Sequence, residues 1–322
     1  GTNLKTAQKL DRMLGVLFQE SQIYRIDHYL GKEMLQNILT FRFSNNLFEE
    51  NWSARSIETI HVRALEKLGV GERAGFYNSI GALRDIGQNH LLQMLALVTM
   101  DHPNNYDAQS IREARARLLS SLHRPSKSDI VCHAFRGQYE GYRESAGVPL
   151  DSLTETYFNV RALLDTPRWR GMPVYLESGK VMNEVRKEIE ITFRHPFPCL
   201  CPNNTLEHYK NRIIFRLEPK DEILIYFWAK KPGFEYEMEE QMLRFAFPDG
   251  KNDVCLLEAH ERLLLDCITG DQTLFVRTDE IISMWRFVDP IIRAWEKNLV
   301  PLKSYTPHTD TIRIESERIE NN

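Results

Sequence analysis

The feature that most constrains the fold is a run of short strand-like segments between about residues 129 and 250. They are rich in Ile, Val, Phe and Tyr, and turns with Pro, Gly or Asn separate them. The segments are IVCHAFRGQY, PVYLES, EIEITF, NRIIFRLEP, EILIYFWAK and YEMEEQMLRFAF. Because parallel neighbours need long, usually helical crossovers and few helices intervene, the sequence predicts a mainly antiparallel sheet.

Helical patterns flank this region. Apolar spacing predicts helices over 3–20, 32–43, 79–100 and 108–122, a strand over 56–65, and helices again at about 254–268 and 278–297. The tail after Val300 is expected to be irregular. The prediction is an α+β fold: one large, mainly antiparallel sheet with helices packed on one face, in a single domain over 1–322. Its helical part covers about 1–125, its sheet part about 129–250 and its last helices about 254–297. The uncovered sheet face is a candidate dimer surface.

Composition excludes several functions. The chain has 41 Lys and Arg against 45 Asp and Glu, so no nucleic-acid partner is expected. No apolar run reaches the ~20 residues that span a bilayer, so no membrane partner is expected. Five cysteines, of which only Cys199 and Cys201 are close, indicate reduced thiols in a cytoplasmic protein and no metal site. The absence of G-x-G-x-x-G predicts that no Rossmann domain is present and that the chain has no cofactor-binding residues.

The stretch YRIDHYLGKE concentrates polar groups between Asp27 and Lys32. If it is roughly helical, His28 and Lys32 share a face, Tyr29 lies close, and Asp27 points elsewhere. His28, Tyr29 and Lys32 would then form a donor cluster suited to a phosphate. The alternative is a structural turn whose polar groups cap a helix.

A second polar group interrupts the helix GALRDIGQNHLLQML, where Asp85, Asn89 and His90 occur among apolar residues. In an α-helix Asp85 and His90 diverge by about 140°, so a carboxylate that orients His90 would come from another segment, such as Asp27. The alternative is a buried histidine with ordinary hydrogen-bond partners.

Two further charged positions lie at strand ends. Glu66, with Arg73 across a glycine loop, could accept hydrogen bonds from a sugar, and Lys180 could face a ligand. Ordinary surface charges are the alternative in both cases. Together the candidates fit proton abstraction from a hydroxyl of a phosphorylated polyol. A metal hydrolase built on Asp27, His28, His61 and Glu66 is a further alternative, but it lacks paired histidines at i, i+4.

RIDHYLGKE, GFYNSIGALRDIGQNHLLQ and SGK, in this order and spacing, resemble the C-terminal domain of glucose-6-phosphate dehydrogenase, from about residue 8 to about 300. The resemblance implies that His90 is the general base and that Asp27 is its paired carboxylate. It implies that His28, Tyr29 and Lys32 bind the sugar phosphate. It also implies that Glu66 and Asp85 bind sugar hydroxyls and that Lys180 lies near the substrate.

Departures from the family pattern carry expectations of their own. Val185 stands where a basic residue is common, so the expectation is either a weakened phosphate site or an Arg186 that reaches in. Glu177 stands where mammalian members have a basic residue, so no second, structural NADP is expected.

The family's N-terminal dinucleotide-binding domain is missing from these residues, so the chain alone is expected to be inactive. The implied partners are glucose 6-phosphate and NADP, the latter bound mainly by that missing domain, in a homodimer or homotetramer assembled through the sheet. The alternative is a free-standing, non-catalytic module that binds a sugar phosphate or assists assembly.

Overall fold

One sheet of nine strands organises the part of the chain that this computed structural model describes, residues 2–195, 209–247 and 258–320. The strands are β1 Ile57–Leu65, β2 Ala134–Tyr139, β3 Tyr157–Ala162, β4 Val174–Gly179, β5 Arg186–Phe193, β6 Arg212–Glu218, β7 Glu222–Lys230, β8 Met238–Ala246 and β9 Leu302–Tyr305. Their order in the sheet is β8-β7-β6-β5-β1-β4-β3-β2-β9. Only the β1–β4 and β2–β9 pairs are parallel, so the predicted, mainly antiparallel sheet is confirmed.

Helices form the second layer. They are α1 Leu4–Leu17, α2 Glu33–Phe43, α3 Asn46–Glu49, α4 Ala74–Tyr77, a π-helix Leu83–Leu91, α5 Leu92–Thr99, α6 Ala108–Ser120, α7 Lys127–His133, α8 Ala259–Thr269, α9 Thr278–Glu296 and α10 Thr311–Ser316. No helix in the described ranges is long and apolar enough to cross a bilayer. Cys132 and Cys267 are unpaired thiols, while Cys199, Cys201 and Cys255 lie outside the described residues.

The core lies between the helices and one face of the sheet. Alternate strand residues such as Val62, Phe158 and Leu176 are fully buried there, as expected when successive side chains of a strand point to opposite faces. Two buried indoles secure α5: Trp52 Nε1 and Trp169 Nε1 each donate at 2.6 Å to a backbone carbonyl near its C-terminus. The helix that follows the π-helix is therefore held firmly over the middle of the sheet.

The segment after Val300 is ordered, and the expectation of an irregular tail is wrong. Strand β9 extends the sheet beside β2, and α10 packs on the sheet face opposite the main helical layer. Ser316 Oγ lies 2.7 Å from the hydroxyl of Tyr157 and accepts a hydrogen bond from Asn159 at 3.2 Å. Ile312 is 1% exposed. A buried apolar side chain and a few buried hydrogen bonds thus anchor this segment. Its strand and helix are too short to show a recognisable pattern in the sequence.

Helix α10 provides a test of this docking. Ile312→Ala should lower the free energy of unfolding by about 2–5 kcal/mol, because it empties a buried position. Ile314→Ala, on the same helix but 64% exposed, should change it by less than about 0.5 kcal/mol. Urea unfolding and limited proteolysis of the C-terminal segment measure both effects. Equal, small losses in the two variants would show that α10 is not docked.

Candidate active site

The carboxylate of Asp27 and the imidazole of His90 form a short hydrogen bond across 63 residues of sequence. Asp27 Oδ1 lies 2.6 Å from His90 Nδ1, and the residues are only 5% and 9% exposed. The same oxygen accepts the backbone N–H of Tyr29 at 3.0 Å. The contact expected from the sequence is therefore present. A carboxylate at Nδ1 holds the proton on that nitrogen and makes Nε2 the basic one.

The turn after Asp27 is wound more tightly than the α-helix assumed from the sequence. The backbone N–H of Lys32 donates to the carbonyl of Tyr29 at 2.9 Å, a three-residue spacing. Tyr29 and Lys32 therefore share a side, and Lys32 Nζ lies 5.3 Å from the centre of the Tyr29 ring. His28 instead stacks on the ring of His260, with the ring centres 5.5 Å apart.

Gly31 is required by close packing. A Cβ at this position would lie 2.6 Å from the carbonyl oxygen of Ala259 and 3.2 Å from Leu263 Cγ. The first contact is with backbone, so a side chain could be accommodated only if the turn or the start of α8 moved. The glycine thus fixes the turn that carries Asp27, His28 and Tyr29 against α8.

His90 lies on the π-helix Leu83–Leu91 rather than on the long α-helix predicted over 79–100. π-Helical turns are rare in proteins, and those that occur are often found at functional sites. The N–H of His90 donates to the side chain of Asn89 at 2.7 Å. Polar side chains of this segment thus contribute to its own backbone bonding as well as to the site.

Glu155, which the sequence does not single out, anchors the start of the π-helix. Its carboxylate accepts the N–H of Leu83 at 3.0 Å. A Cβ on Gly81, whose φ is +76°, would lie 2.4 Å from the same carboxylate oxygen. Burial raises the pKa of Glu155. Only a glycine at this position lets the carboxylate reach the helix end.

Two rings hold the imidazole of His90 in place. The Tyr29 ring stacks on it at 4.1 Å and 9°, and the His28 ring meets it edge-on at 4.7 Å and 79°. Burial raises the pKa of Tyr29 to about 12, so its hydroxyl stays protonated. Burial and the neighbouring His90 lower the pKa of His28, which favours a neutral ring.

Three lysines and three carboxylates alternate in a line beside these rings. The members, in order, are Lys32, Glu218, Lys187, Glu66, Lys180 and Asp85. Lys32 Nζ and Lys187 Nζ lie 2.9 and 3.0 Å from the Glu218 carboxylate. Lys187 Nζ is 3.7 Å from Glu66, while Lys180 contacts Glu66 and lies 3.9 Å from Asp85. We call this set the ion-pair line.

The ion-pair line contains four of the predicted site residues, Lys32, Glu66, Asp85 and Lys180. Arg73 does not join Glu66 and lies instead over the Phe76 ring, with 5.9 Å from its guanidinium carbon to the ring centre. The line also includes two residues that the sequence analysis missed, Lys187 and Glu218.

Of the two alternatives for the missing basic residue at 185, the one in which Arg186 reaches the site is wrong. Its guanidinium lies 2.5 Å from Glu184 and 3.7 Å from Glu188. Lys187 enters instead, because side chains alternate along β5: Lys187 shares the helical face of the sheet with the buried Ile189, whereas Arg186 shares the opposite face with Glu188.

The pairing of β5 with β6 shifts register here, with Glu218 opposite Lys187 but Arg216 opposite Glu188, and this bulge on β6 brings the Glu218 carboxylate to the lysine. The sequence alone gives no sign of the bulge.

The four residues of the metal-hydrolase alternative do not meet. His61 lies on the opposite face of the sheet, 3.8 Å from Glu320, and burial lowers its pKa to about 3. Among the described residues, Asp27, His28 and His90 have potential ligand atoms within 4.8 Å of one another. This group coincides with the histidine–carboxylate pair, whose short hydrogen bond already engages Nδ1.

An open cleft of about 550 Å³ lies beside the turn. Its lining includes His28, Tyr29, Lys32, Lys187, Glu218 and His260. The pair Asp27–His90 lies behind this lining, because the rings of His28 and Tyr29 line the cleft and contact the His90 imidazole. Such a cleft, with a few convergent polar groups, is the usual form of a small-molecule site.

The comparisons with known proteins agree with this arrangement. Residues 39–320 match the family model described as glucose-6-phosphate dehydrogenase, C-terminal domain, and residues 1–37 match the one described as glucose-6-phosphate dehydrogenase, NAD binding domain. The fold is thus that of the C-terminal part of a dehydrogenase, and the turn with Asp27 lies in the segment that matches the NAD-binding model. The chain belongs to the glucose-6-phosphate dehydrogenase family, which confirms the resemblance noted in the sequence.

Curated relatives are similar over nearly the whole chain. Glucose-6-phosphate 1-dehydrogenase of Borreliella burgdorferi is 41% identical over 92% of this chain and 63% of its own length. That of Aggregatibacter actinomycetemcomitans is 41% identical over 91% of this chain and 60% of its own. The chain therefore spans less than two thirds of the length of these relatives.

Solved structures show the same fold. A glucose-6-phosphate dehydrogenase in complex with its substrate glucose-6-phosphate superposes with a TM-score of 0.91 at 31% identity, over all of this chain and 66% of that one. The enzyme from Mycobacterium avium superposes with a TM-score of 0.81 at 32% identity, over 95% of this chain and 64% of that one.

The half-buried His28 gives a pH test of the site. We expect its pKa to lie below the ordinary ~6.5, because burial and His90 oppose the imidazolium. Its contribution to stability is then present above about pH 6.5 and is lost as the pH falls through the folded-state pKa. Titration of its ring protons by NMR measures this.

Two variants test how the neighbouring charges shift the pKa of His28. Asp27→Asn should lower the pKa of His28 further, and Lys32→Met should raise it. A pKa above 6.5 in the unchanged chain would contradict the described surroundings of His28.

Proposed function

We propose that this chain is the substrate-binding and catalytic-base part of an NADP-dependent glucose-6-phosphate dehydrogenase. The reaction oxidises glucose 6-phosphate at C1 to the 6-phosphogluconolactone. The observation that carries the proposal is the 2.6 Å hydrogen bond between Asp27 and His90 beside a lysine-bearing cleft. The cytoplasm is the proposed location.

The proposed role of His90 is to remove the proton from the anomeric hydroxyl. As hydride departs from C1, that proton passes to Nε2, because Nδ1 already carries the proton shared with Asp27. The Asp27 carboxylate then stabilises the imidazolium and keeps the ring oriented. General-base catalysis of this kind contributes about 10²–10⁴ in rate.

The remaining residues have proposed roles in binding. His28, Tyr29 and Lys32 would contact the phosphate, Glu66 and Asp85 would accept hydrogen bonds from sugar hydroxyls, and Lys180 would lie beside the substrate. Support comes from their positions along the ion-pair line and around the Tyr29 ring.

NADP would accept the hydride when bound. The sequence has no G-x-G-x-x-G, and only residues 1–37 match the NAD-binding family model. We therefore propose that NADP binds mainly outside these 322 residues.

A homodimer or homotetramer through the sheet is also proposed. The C-terminal segment packs on β3 opposite the main helices, so the surface that the described residues leave for a partner copy is that of β5–β8. The edge strand β8 exposes Met242, Leu243 and Phe245, which supports this choice.

Kinetics of the complete gene product test the catalytic assignment. His90→Asn should lower kcat by roughly 10³-fold and Asp27→Asn by roughly 10²-fold, with KM for glucose 6-phosphate nearly unchanged. His123→Asn is the matched control, because His123 also pairs with an aspartate, Asp165 at 3.1 Å, but on the surface. It should retain full activity.

NADPH absorbance measures the rates. A His90→Asn enzyme with normal kcat would refute the role of His90 as base. In the same assay, we expect the 322-residue chain alone to produce no NADPH, and turnover by it would refute the proposed location of the cofactor.

A further inference from the structure

The cleft assigned to the phosphate has no surplus of positive charge. Its charged lining groups include three lysines and four carboxylates. They are Lys32, Lys187 and Lys220, and Glu33, Glu218, Asp221 and Glu258. A site for a phosphate dianion normally presents uncompensated cations and N–H donors. The acids of this cleft therefore need an explanation.

One carboxylate, Glu218, is bonded directly to the lysines. It ends β6 opposite Lys187 of β5. Lys32 Nζ donates to its Oε1 at 2.9 Å, and Lys187 Nζ lies 3.1 and 3.0 Å from Oε1 and Oε2. Both side chains that would receive a phosphate at this end of the cleft thus already hold an anion.

Glu218 is ionised at neutral pH. Burial alone would raise its pKa, but the hydrogen bonds from Lys32 and Lys187 outweigh burial and lower it. Its side chain is 31% exposed, so it can leave the lysines by rotating toward solvent. The lysines themselves are less exposed, at 23% and 14%.

We propose that Glu218 is a tethered competitor of the substrate phosphate and sets the selectivity of the cleft for dianionic phosphate esters. In the empty cleft its carboxylate neutralises Lys32 and Lys187. A singly charged anion gains little by displacing another single charge, whereas a phosphate dianion brings more charge and three acceptor oxygens. This inference rests on the proposed function, because it takes the ligand of Lys32 to be a phosphate.

The variant Glu218→Gln isolates the charge, since it preserves size and shape. Calorimetric titration of the 322-residue chain with inorganic phosphate at pH 8 should show roughly tenfold tighter binding than in the unchanged chain, as expected for removal of one repelling charge at short range. Without phosphate, the variant should unfold at a lower temperature, because the two lysines lose their counterion. If Glu218 had only a structural role, Glu218→Gln would lower both the affinity for phosphate and the unfolding temperature.

Glu33→Gln is the matched control. Glu33 lines the same cleft but is exposed, and its carboxylate lies 3.5 Å from Asn37 rather than against a lysine. It should change phosphate affinity by less than about twofold.

A second titration tests selectivity with glucuronate, a sugar acid that carries one negative charge. The ratio of phosphate to glucuronate affinity should be lower in Glu218→Gln than in the unchanged chain, because a singly charged anion no longer has to displace a carboxylate. Equal or weaker phosphate binding by Glu218→Gln, while the unchanged chain binds phosphate, would overturn this proposal alone. An equal gain of phosphate affinity in Glu33→Gln would also overturn it, because the removal of any negative charge from the cleft would then explain the result. Absence of phosphate binding by every variant would overturn both this proposal and the phosphate site.

Discussion

The hydrogen bond between Asp27 and His90 is the contact on which the rest of the site depends. It joins a turn near the start of the chain to a helix that begins more than fifty residues later, and each partner is fixed by packing of its own. Gly31 lets the turn lie against α8 without a clash. Glu155 holds the start of the π-helix, and the Tyr29 ring covers the imidazole. A base oriented in this way loses little freedom when it reacts.

Charge balance is the second constraint. Lysines that are partly withdrawn from water need counterions, and the ion-pair line supplies one carboxylate for every ammonium. The cost is that a ligand must replace interactions that already exist. Substrate binding is then an exchange of ion pairs, and its net free energy is smaller than the new contacts alone would suggest.

Sequence reasoning found the α+β fold because alternating apolar residues indicated the strands of the sheet. The Asp27–His90 pair came from the family resemblance, since the angle that argued against Asp85 assumed an α-helix where the structure has a π-helix. Sequence reasoning failed where a single residue changes the winding of a helix or the pairing of two strands. Neither the π-helix Leu83–Leu91 nor the bulge on β6 that brings Glu218 into the site has a local pattern. Strand β9 and helix α10 were missed because four and six residues are too few to show a period.

The most direct test is a crystal structure of this chain with glucose 6-phosphate. The account predicts that Asp27 remains bonded to Nδ1 of His90, and that Nε2 lies within roughly 3.2 Å of the anomeric oxygen of the sugar. The phosphate should lie against Lys32. A sugar bound with its anomeric carbon away from this imidazole, or an Asp27 turned away from His90, would contradict the account.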